Sequence, residues 1–441
     1  MKILSITAGA ANMYCGSCLR DNALAGELRR QGHDVILLPL YTPTRTDEEN
    51  HSHSRVFFGG ISVYLQQILP LFRKTPKLLD RLWDLPGVIS LFANRGLEVD
   101  PGHLGALTVS MLEGVHGRQR KEIDNLTAWL RHEPRPDLVT LPYPLLISLA
   151  RPLREVTGRP VVCTLQGEEL FLEGLIEPHR SRALDLIRGQ VDQVDAFIAV
   201  SHYGARHMAS YLGIPREKIH TVPLGINLDG HAPANRAAGG PRRVGFFSRI
   251  APEKGLHVLA EAFRLLDRRG DLGPIRLEAA GYIAPEHRKY LAGIEAKMAE
   301  WGFADRFRYH GEVDRAGKIA FLQSLHVLSV PATYDEPKGI PILEAKANAV
   351  PVVQPRRGSF PEMIETTGGG LLVEPDSAEA LAEGLAAVLC DNDLAARLGS
   401  AGRAGVEAHY TLAKMAERTA KVYARVAAGD SRKLAESFQP N

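Results

Sequence analysis

Four charged side chains in the second half of the chain stand where a phosphorylated, hydroxyl-rich ligand would need them. Glu336 and Glu344 flank Gly339 in the run Tyr334-Asp335-Glu336-Pro337-Lys338-Gly339-Ile340-Pro341-Ile342-Leu343-Glu344-Ala345. A strand-like apolar run precedes it and a helix-like run follows. A glycine turn of that kind aims backbone N–H groups at whatever lies above it, a place suited to phosphates. A carboxylate is an acceptor with several lone pairs, so it suits the vicinal hydroxyls of a sugar or a ribose. The second group lies in Val244-Gly245-Phe246-Phe247-Ser248-Arg249-Ile250-Ala251-Pro252-Glu253-Lys254-Gly255. Arg249 and Lys254 follow a strand-like run, and a helix begins near Leu256. Two cations beside a helix start form a clamp for a diphosphate. Each group alone also has a plainer reading: a carboxylate favoured by the helix dipole, and a pair of solvated surface cations.

The elements that must hold these residues follow from periodicity. The chain has 441 residues, 45% apolar and 24% charged, with 53 Lys and Arg against 51 Asp and Glu. That length suggests two or three globular domains. The small net charge argues against a protein built to coat nucleic acid. No apolar run reaches the roughly 18–20 residues that span a bilayer, and the first residues lead straight into strand-like sequence, so the expected location is cytoplasmic. Strands are expected at Lys2–Thr7, Asp34–Pro39, Asp137–Leu141, Pro160–Leu165, Ala196–Ser201 and His220–Leu224. A second series follows at Arg243–Ser248, Ile275–Gly281, Phe307–His310, Leu325–Val330, Pro351–Pro355 and Gly370–Val373. Helical patterns lie between them, beginning with Leu19–Arg30. The alternation implies βαβ units and parallel sheets.

Residues 228–242, rich in Gly, Ala, Pro and Asn, read as a flexible linker. The expected organisation is α/β: a first doubly wound domain over 1–227, a second over 243–410, and a final helix at Tyr410–Ala428 with a polar tail beyond it. Ligands bind beyond the carboxyl ends of the strands in such sheets. Residues 42–135 break the alternation. Their stretch Ile68–Leu82 mixes Leu, Phe and Ile with Arg73, Lys74, Lys77 and Arg81. It reads as a helical excursion packed on its own domain, because Pro70 and Pro76 interrupt any long amphipathic helix. The competing readings are an insertion carrying acceptor specificity and a surface helix in peripheral contact with a membrane.

Taken together, these motifs resemble the retaining glycosyltransferases of family 4. Glu336 and Glu344, seven residues between them with Gly339 near the middle, match the family's acidic motif. Ser248-Arg249-Ile250 and Pro252-Glu253-Lys254-Gly255 match its cationic motif. Gly32-His33-Asp34-Val35, Ala199-Val200-Ser201, Val222-Pro223-Leu224-Gly225-Ile226-Asn227, Val350-Pro351-Val352-Val353 and Phe360-Pro361-Glu362-Met363-Ile364 match in order. The resemblance implies the GT-B fold, two Rossmann-like domains facing a cleft, with the final helix crossing back to the first domain. It implies transfer of a hexosyl group from a nucleoside-diphosphate sugar to a glycan, lipid or small-molecule acceptor, with retention of anomeric configuration. Arg249 and Lys254 would hold the diphosphate and neutralise the leaving group. Glu344 would bind the ribose, and Glu336 would face the donor sugar. Amides around Gly339 and Ile340 would meet the phosphates or the sugar. The family's glycine pair after the first strand falls at Cys15-Gly16, where Gly16 fits and Cys15 departs. Where the family often has a His, this chain has Leu165-Gln166-Gly167-Glu168-Glu169. Gln166 and Glu168 are therefore candidate sugar or acceptor contacts, and Gln166 cannot take a proton as an imidazole could. Loss of Arg249 or Lys254 is expected to lower turnover and leave the fold intact.

Cys15-Gly16-Ser17-Cys18 is a C-x-x-C motif near a βαβ unit and admits a redox reading. A structural loop lining the donor site is the preferred one. The other two cysteines, Cys163 and Cys390, do not supply zinc spacing, and the 16 histidines form no H-x-x-x-H pattern. No metal and no resident cofactor are expected, with the nucleotide-sugar acting as co-substrate. The alternatives are a GT-B phosphorylase or sugar-nucleotide epimerase, a thiol-redox protein using Cys15 and Cys18, and a noncatalytic sugar-nucleotide binder.

Overall fold

A computed structural model describes residues 1–9, 16–44, 46–58, 101–233 and 240–429. Cys15, the stretch Ile68–Leu82, part of the linker and the tail from 430 on lie outside them. The chain divides into two compact units. The first is Met1–Val200 with Gly204–Val222 and the chain from Ala416 on; the second is Ser201–Tyr203 with Pro223–Met415.

The first unit is built on β1 (Lys2–Thr7), β2 (Asp34–Pro39), β3 (Leu138–Leu141), β4 (Val161–Leu165), β5 (Ala196–Ala199) and β6 (Ile219–Thr221). They form one sheet in the order β2-β1-β3-β4-β5-β6. Every neighbouring pair is parallel, as in Ile3 beside Val35 and Val162 beside Ala196. β3, β4 and β5 are buried along their whole lengths, which is why they read as unbroken apolar runs rather than alternating ones. Of the irregular 42–135 region, helices Pro101–Leu112 and Arg120–Leu130 are described. Met111, Leu112, Ile123, Leu126 and Leu130 join the apolar core of this unit. That described part packs on its own unit.

The second unit carries β7 (Arg242–Phe247), β8 (Ile275–Ala280), β9 (Phe307–Tyr309), β10 (Val327–Leu328), β11 (Val352–Pro355) and β12 (Gly370–Val373). Their order is β12-β11-β10-β7-β8-β9, again all parallel. The order reverses between β7 and β10, the topological switch point where the crossovers diverge to opposite faces and a crevice opens at the carboxyl ends. The loops after those two strands are the two that carry the charged motifs. Helix starts follow ordinary capping chemistry: Asp314, Ser377 and Asp391 accept from the N–H groups of Gly317, Ala380 and Leu394 at 2.8, 3.0 and 2.8 Å. No helix among the described residues is long and apolar enough to cross a membrane.

The expected linker 228–242 differs from its sequence reading over its described first part. Arg315 Nη2 donates to the carbonyls of Asn227 and Asp229 at 3.2 and 2.8 Å. Gln323 Nε2 donates to the Ala232 carbonyl at 3.2 Å, and Asn348 Oδ1 accepts from the Ala232 N–H at 3.3 Å. Its composition is that of a free tether, yet Arg315 and Gln323 from one helix and Asn348 from the end of another fasten it.

Candidate functional site

After β7 the chain passes Arg249, makes a 3₁₀ turn over Pro252–Lys254, and enters helix Leu256–Arg268 through Gly255. Gly255 has φ +79°, and a Cβ there would lie 1.9 Å from the Pro331 carbonyl oxygen. Only glycine tolerates both that backbone and that approach. The Thr333 N–H donates to the Glu253 carbonyl at 3.0 Å, so this turn is tied to the loop after β10. That second loop runs from Ser329 to Gly339, whose φ is +61°, and there opens helix Ile340–Ala347 with Pro341 in its first turn. Proline is tolerated at that place because the first N–H groups of a helix have no partner within it.

The two loops bring Lys254 onto Glu336. The Lys254 ammonium pairs with Glu336 Oε2 and donates to the Tyr334 hydroxyl at 2.6 Å. Tyr334 in turn donates to the same Glu336 oxygen, and the Lys338 N–H donates to the other at 3.1 Å. The Lys254 ammonium also stands 4.8 Å from the centre of the Tyr334 ring. From behind, the Ser359 N–H and Oγ both donate to the Glu336 carbonyl at 2.8 Å. Glu336 is buried. Burial pushes its carboxyl upward, but the Lys254 charge, the Lys254 and Tyr334 hydrogen bonds and the Lys338 charge outweigh that and hold it at about 2. Tyr334 is pushed far above its usual range by burial and by the Glu336 charge, so it keeps its proton. Arg249 is exposed and donates from Nη2 to Glu253 Oε1 at 2.5 Å. Of the two expected cations, Lys254 is the one in contact with the Tyr334 phenol.

Glu344 is the fifth residue of its helix and is buried. Lys318 Nζ, from helix Arg315–Ser324, meets its Oε1 at 2.8 Å, and each side chain is 10% exposed. Asn348 Nδ2 donates to the Glu344 carbonyl at 2.9 Å and bonds His231 Nδ1 at 2.8 Å. Burial, with the charges of Arg315 and Lys318, lowers His231 to about 4.

The first unit holds the remaining candidates. Gly16 opens helix Gly16–Arg30. Gln166 and Glu168 follow β4 and are both buried. Gln166 Nε2 donates to the Pro142 carbonyl at 2.9 Å, while both Glu168 oxygens accept from the Gln166 N–H at 2.9 Å. Gln166 Oε1 accepts no hydrogen bond among the described residues. Nearby lies a polar cluster in which Arg20 pairs with Asp21 at 3.0 Å and donates to Thr164, while Thr7 donates to Asp21 at 3.1 Å. Cys18 is buried. Among the described residues, no three His, Cys, Asp or Glu side chains gather as metal ligands.

Sequence reasoning located the charged residues and missed their partners. Ser359 and Lys318 come from elements distant in the chain, so no local spacing marks them. The local signals are Tyr334, two positions before Glu336 in the loop after β10, and Asn348, four positions after Glu344.

Two family models match the chain in tandem. That described as "Glycosyltransferase Family 4" matches residues 22–229, and "Glycosyl transferases group 1" matches residues 231–405. A phosphatidyl-myo-inositol mannosyltransferase of Mycobacterium leprae is 29% identical over 85% of this chain and 95% of its own. A GDP-mannose-dependent alpha-(1-6)-phosphatidylinositol monomannoside mannosyltransferase of Mycobacterium tuberculosis is 28% identical over 54% of this chain and 64% of its own. Among solved structures, a sucrose-phosphate synthase of Thermosynechococcus elongatus superposes with a TM-score of 0.71 at 20% identity, over 97% of this chain and 99% of its own. That likeness shows the fold, the GT-B architecture of two doubly wound units expected from the sequence. With both its halves matched by the family's models, the chain belongs to glycosyltransferase family 4.

Proposed function

We propose that the chain transfers a hexosyl group from a nucleoside-diphosphate sugar to an acceptor, with retention of anomeric configuration. The observation that carries the reading is the junction of the β7 and β10 loops at a switch point, where Lys254, Tyr334, Glu336 and the start of helix Ile340–Ala347 converge. Breaking a glycosyl–phosphate bond builds positive charge on the sugar and negative charge on the leaving diphosphate. Groups that meet those charges already oriented lower the barrier most. An ammonium has three N–H donors. Lys254 gives one to Glu336 and one to Tyr334, and the third serves a phosphate oxygen. Arg249 exchanges its contact with Glu253 for the diphosphate, and the amides after Gly339 add the dipole of a helix start. Glu336, ionised at neutral pH, orients the sugar and faces its developing charge; at about 2 it is no general acid. Glu344 accepts from the ribose hydroxyls. In the first unit, Gly16 is the candidate donor contact and Gln166 and Glu168 are the candidate sugar or acceptor contacts.

GDP-mannose is the donor to test first and an inositol-bearing phospholipid the acceptor, because the mannosyltransferase relatives are named for them. Such an acceptor requires contact with a membrane surface, made peripherally. No resident cofactor or metal takes part. The test incubates the full chain with GDP-mannose, UDP-glucose or ADP-glucose and phosphatidylinositol vesicles, and follows nucleotide release and the anomeric configuration of the product by NMR. Acceptor-dependent release with an α-linked product supports the reading. Release that needs inorganic phosphate, or an inverted product, refutes it.

A further inference from the structure

We infer that Lys318 is a positioning residue for donor recognition, fixing the rotamer of Glu344 in which that carboxylate meets the ribose. The inference rests on the reading of Glu344 given above and names the residue that gives it direction. A glutamate side chain has three rotatable bonds, and one left alone in a helix samples several rotamers. A carboxylate that must accept from a hydroxyl at a set place needs one of them. Lys318 supplies the constraint: its ammonium lies 2.8 Å from Glu344 Oε1, with both side chains nine-tenths buried. Lys318 is itself held, because Asp314 caps its helix and accepts the Lys318 N–H at 2.8 Å. The helix of Glu344 is held at its far end by Asn348, which bonds both the Glu344 carbonyl and His231. The ion pair thus joins two anchored helices and occupies one carboxylate oxygen, leaving the hydroxyl to be met by Oε2. Burial in a pair does little for net stability but selects one geometry. It also balances the charge of Glu344, so that a polyphosphate bound nearby meets a neutral neighbour.

The test measures the affinity of the full chain for GDP, UDP and ADP and for their 2′-deoxy counterparts by calorimetry, with a melting curve for each variant. Wild type prefers the ribonucleotide. Lys318→Met is expected to lower the ribo-to-deoxy ratio about tenfold, the loss of one charge-assisted hydrogen bond, while inorganic pyrophosphate binds as before. Lys318→Arg retains most of the ratio. A purely structural role would weaken all three ligands alike. If Lys318→Met keeps the ratio while Glu344→Gln lowers it, the role of Lys318 is refuted and the reading of Glu344 stands. If Glu344→Gln also keeps the ratio, or no ribonucleotide binds wild type, the reading of Glu344 fails and takes this one with it. Should Lys318→Met not melt cooperatively, Lys318→Gln carries the same comparison.

Discussion

At the scale of single residues, the cations differ in what their loss would do. Arg249 is exposed and pairs with Glu253, a surface pair worth about 0.2–1 kcal/mol. Arg249→Ala should lower turnover on the order of 100–1000-fold with the melting temperature nearly unchanged. Lys254 is different, because it is the counter-ion of the buried Glu336. Lys254→Ala should lower turnover as strongly and also destabilise, since an orphaned buried charge costs about 3–5 kcal/mol. The structure leads us to expect an intact fold for the first substitution and a weakened one for the second. Pairing Lys254→Ala with Glu336→Gln should restore much of the stability and none of the turnover. Equal melting temperatures for Lys254→Ala and wild type would contradict the ion pair. Glu336 also sets an acid limit. Its carboxyl titrates at about 2 in the folded chain against 4.5 for a free glutamate. A lowered folded pKa gives stability that is complete above 4.5 and is lost as pH falls toward 2. Melting curves from pH 5 to 2.5 should therefore fall more steeply for wild type than for Glu336→Gln; parallel curves would refute it. Arg249, Lys254, Glu336 and Glu344 were legible because charges beside glycine turns carry a local pattern. Tyr334 and Lys318 were not, because their meaning lies in contacts across about 80 and 26 positions of chain that no spacing rule links.

At the scale of elements, two turns test the backbone argument with opposite signs. Gly255 is left-handed and its missing Cβ faces a carbonyl oxygen at 1.9 Å. Gly255→Ala should cost more than the roughly 1–2 kcal/mol of a left-handed L-residue, because the loop that carries Tyr334 and Glu336 must also shift. It should weaken nucleotide binding as well. Ala349, after helix Ile340–Ala347, is left-handed at φ +55° without being glycine. Ala349→Gly should stabilise by up to about 1 kcal/mol and leave binding unchanged. Denaturant midpoints measure both, and the same sign for the two variants would refute the argument. Strand positions were legible to within two or three residues at each end, since buried parallel strands are short apolar runs between glycine, proline and polar turns. The shortest, Val327–Leu328 and Ile219–Thr221, were read too long, because apolar residues continue past the last ladder pairing.

For the whole molecule, the parallel alternation and one linker-like break were enough to read two doubly wound units. Composition misjudged the start of that break. Residues Asn227–Ala232 look like free tether, yet Arg315, Gln323 and Asn348 fasten them. The last helix, Leu412–Ala427, begins among contacts of the second unit and continues, from Ala416, among those of the first. The central proposal is that the second unit binds a nucleoside diphosphate where the β7 and β10 loops meet. A ligand that binds only the folded state stabilises it by about 2.7 kcal/mol at a hundred times its dissociation constant. The most direct measurement is the melting temperature of the full chain with GDP, UDP and ADP, in wild type and Arg249→Ala. The account predicts a clear rise with one of the three, much reduced in the variant. No rise with any of them, or the same rise in both proteins, would contradict it.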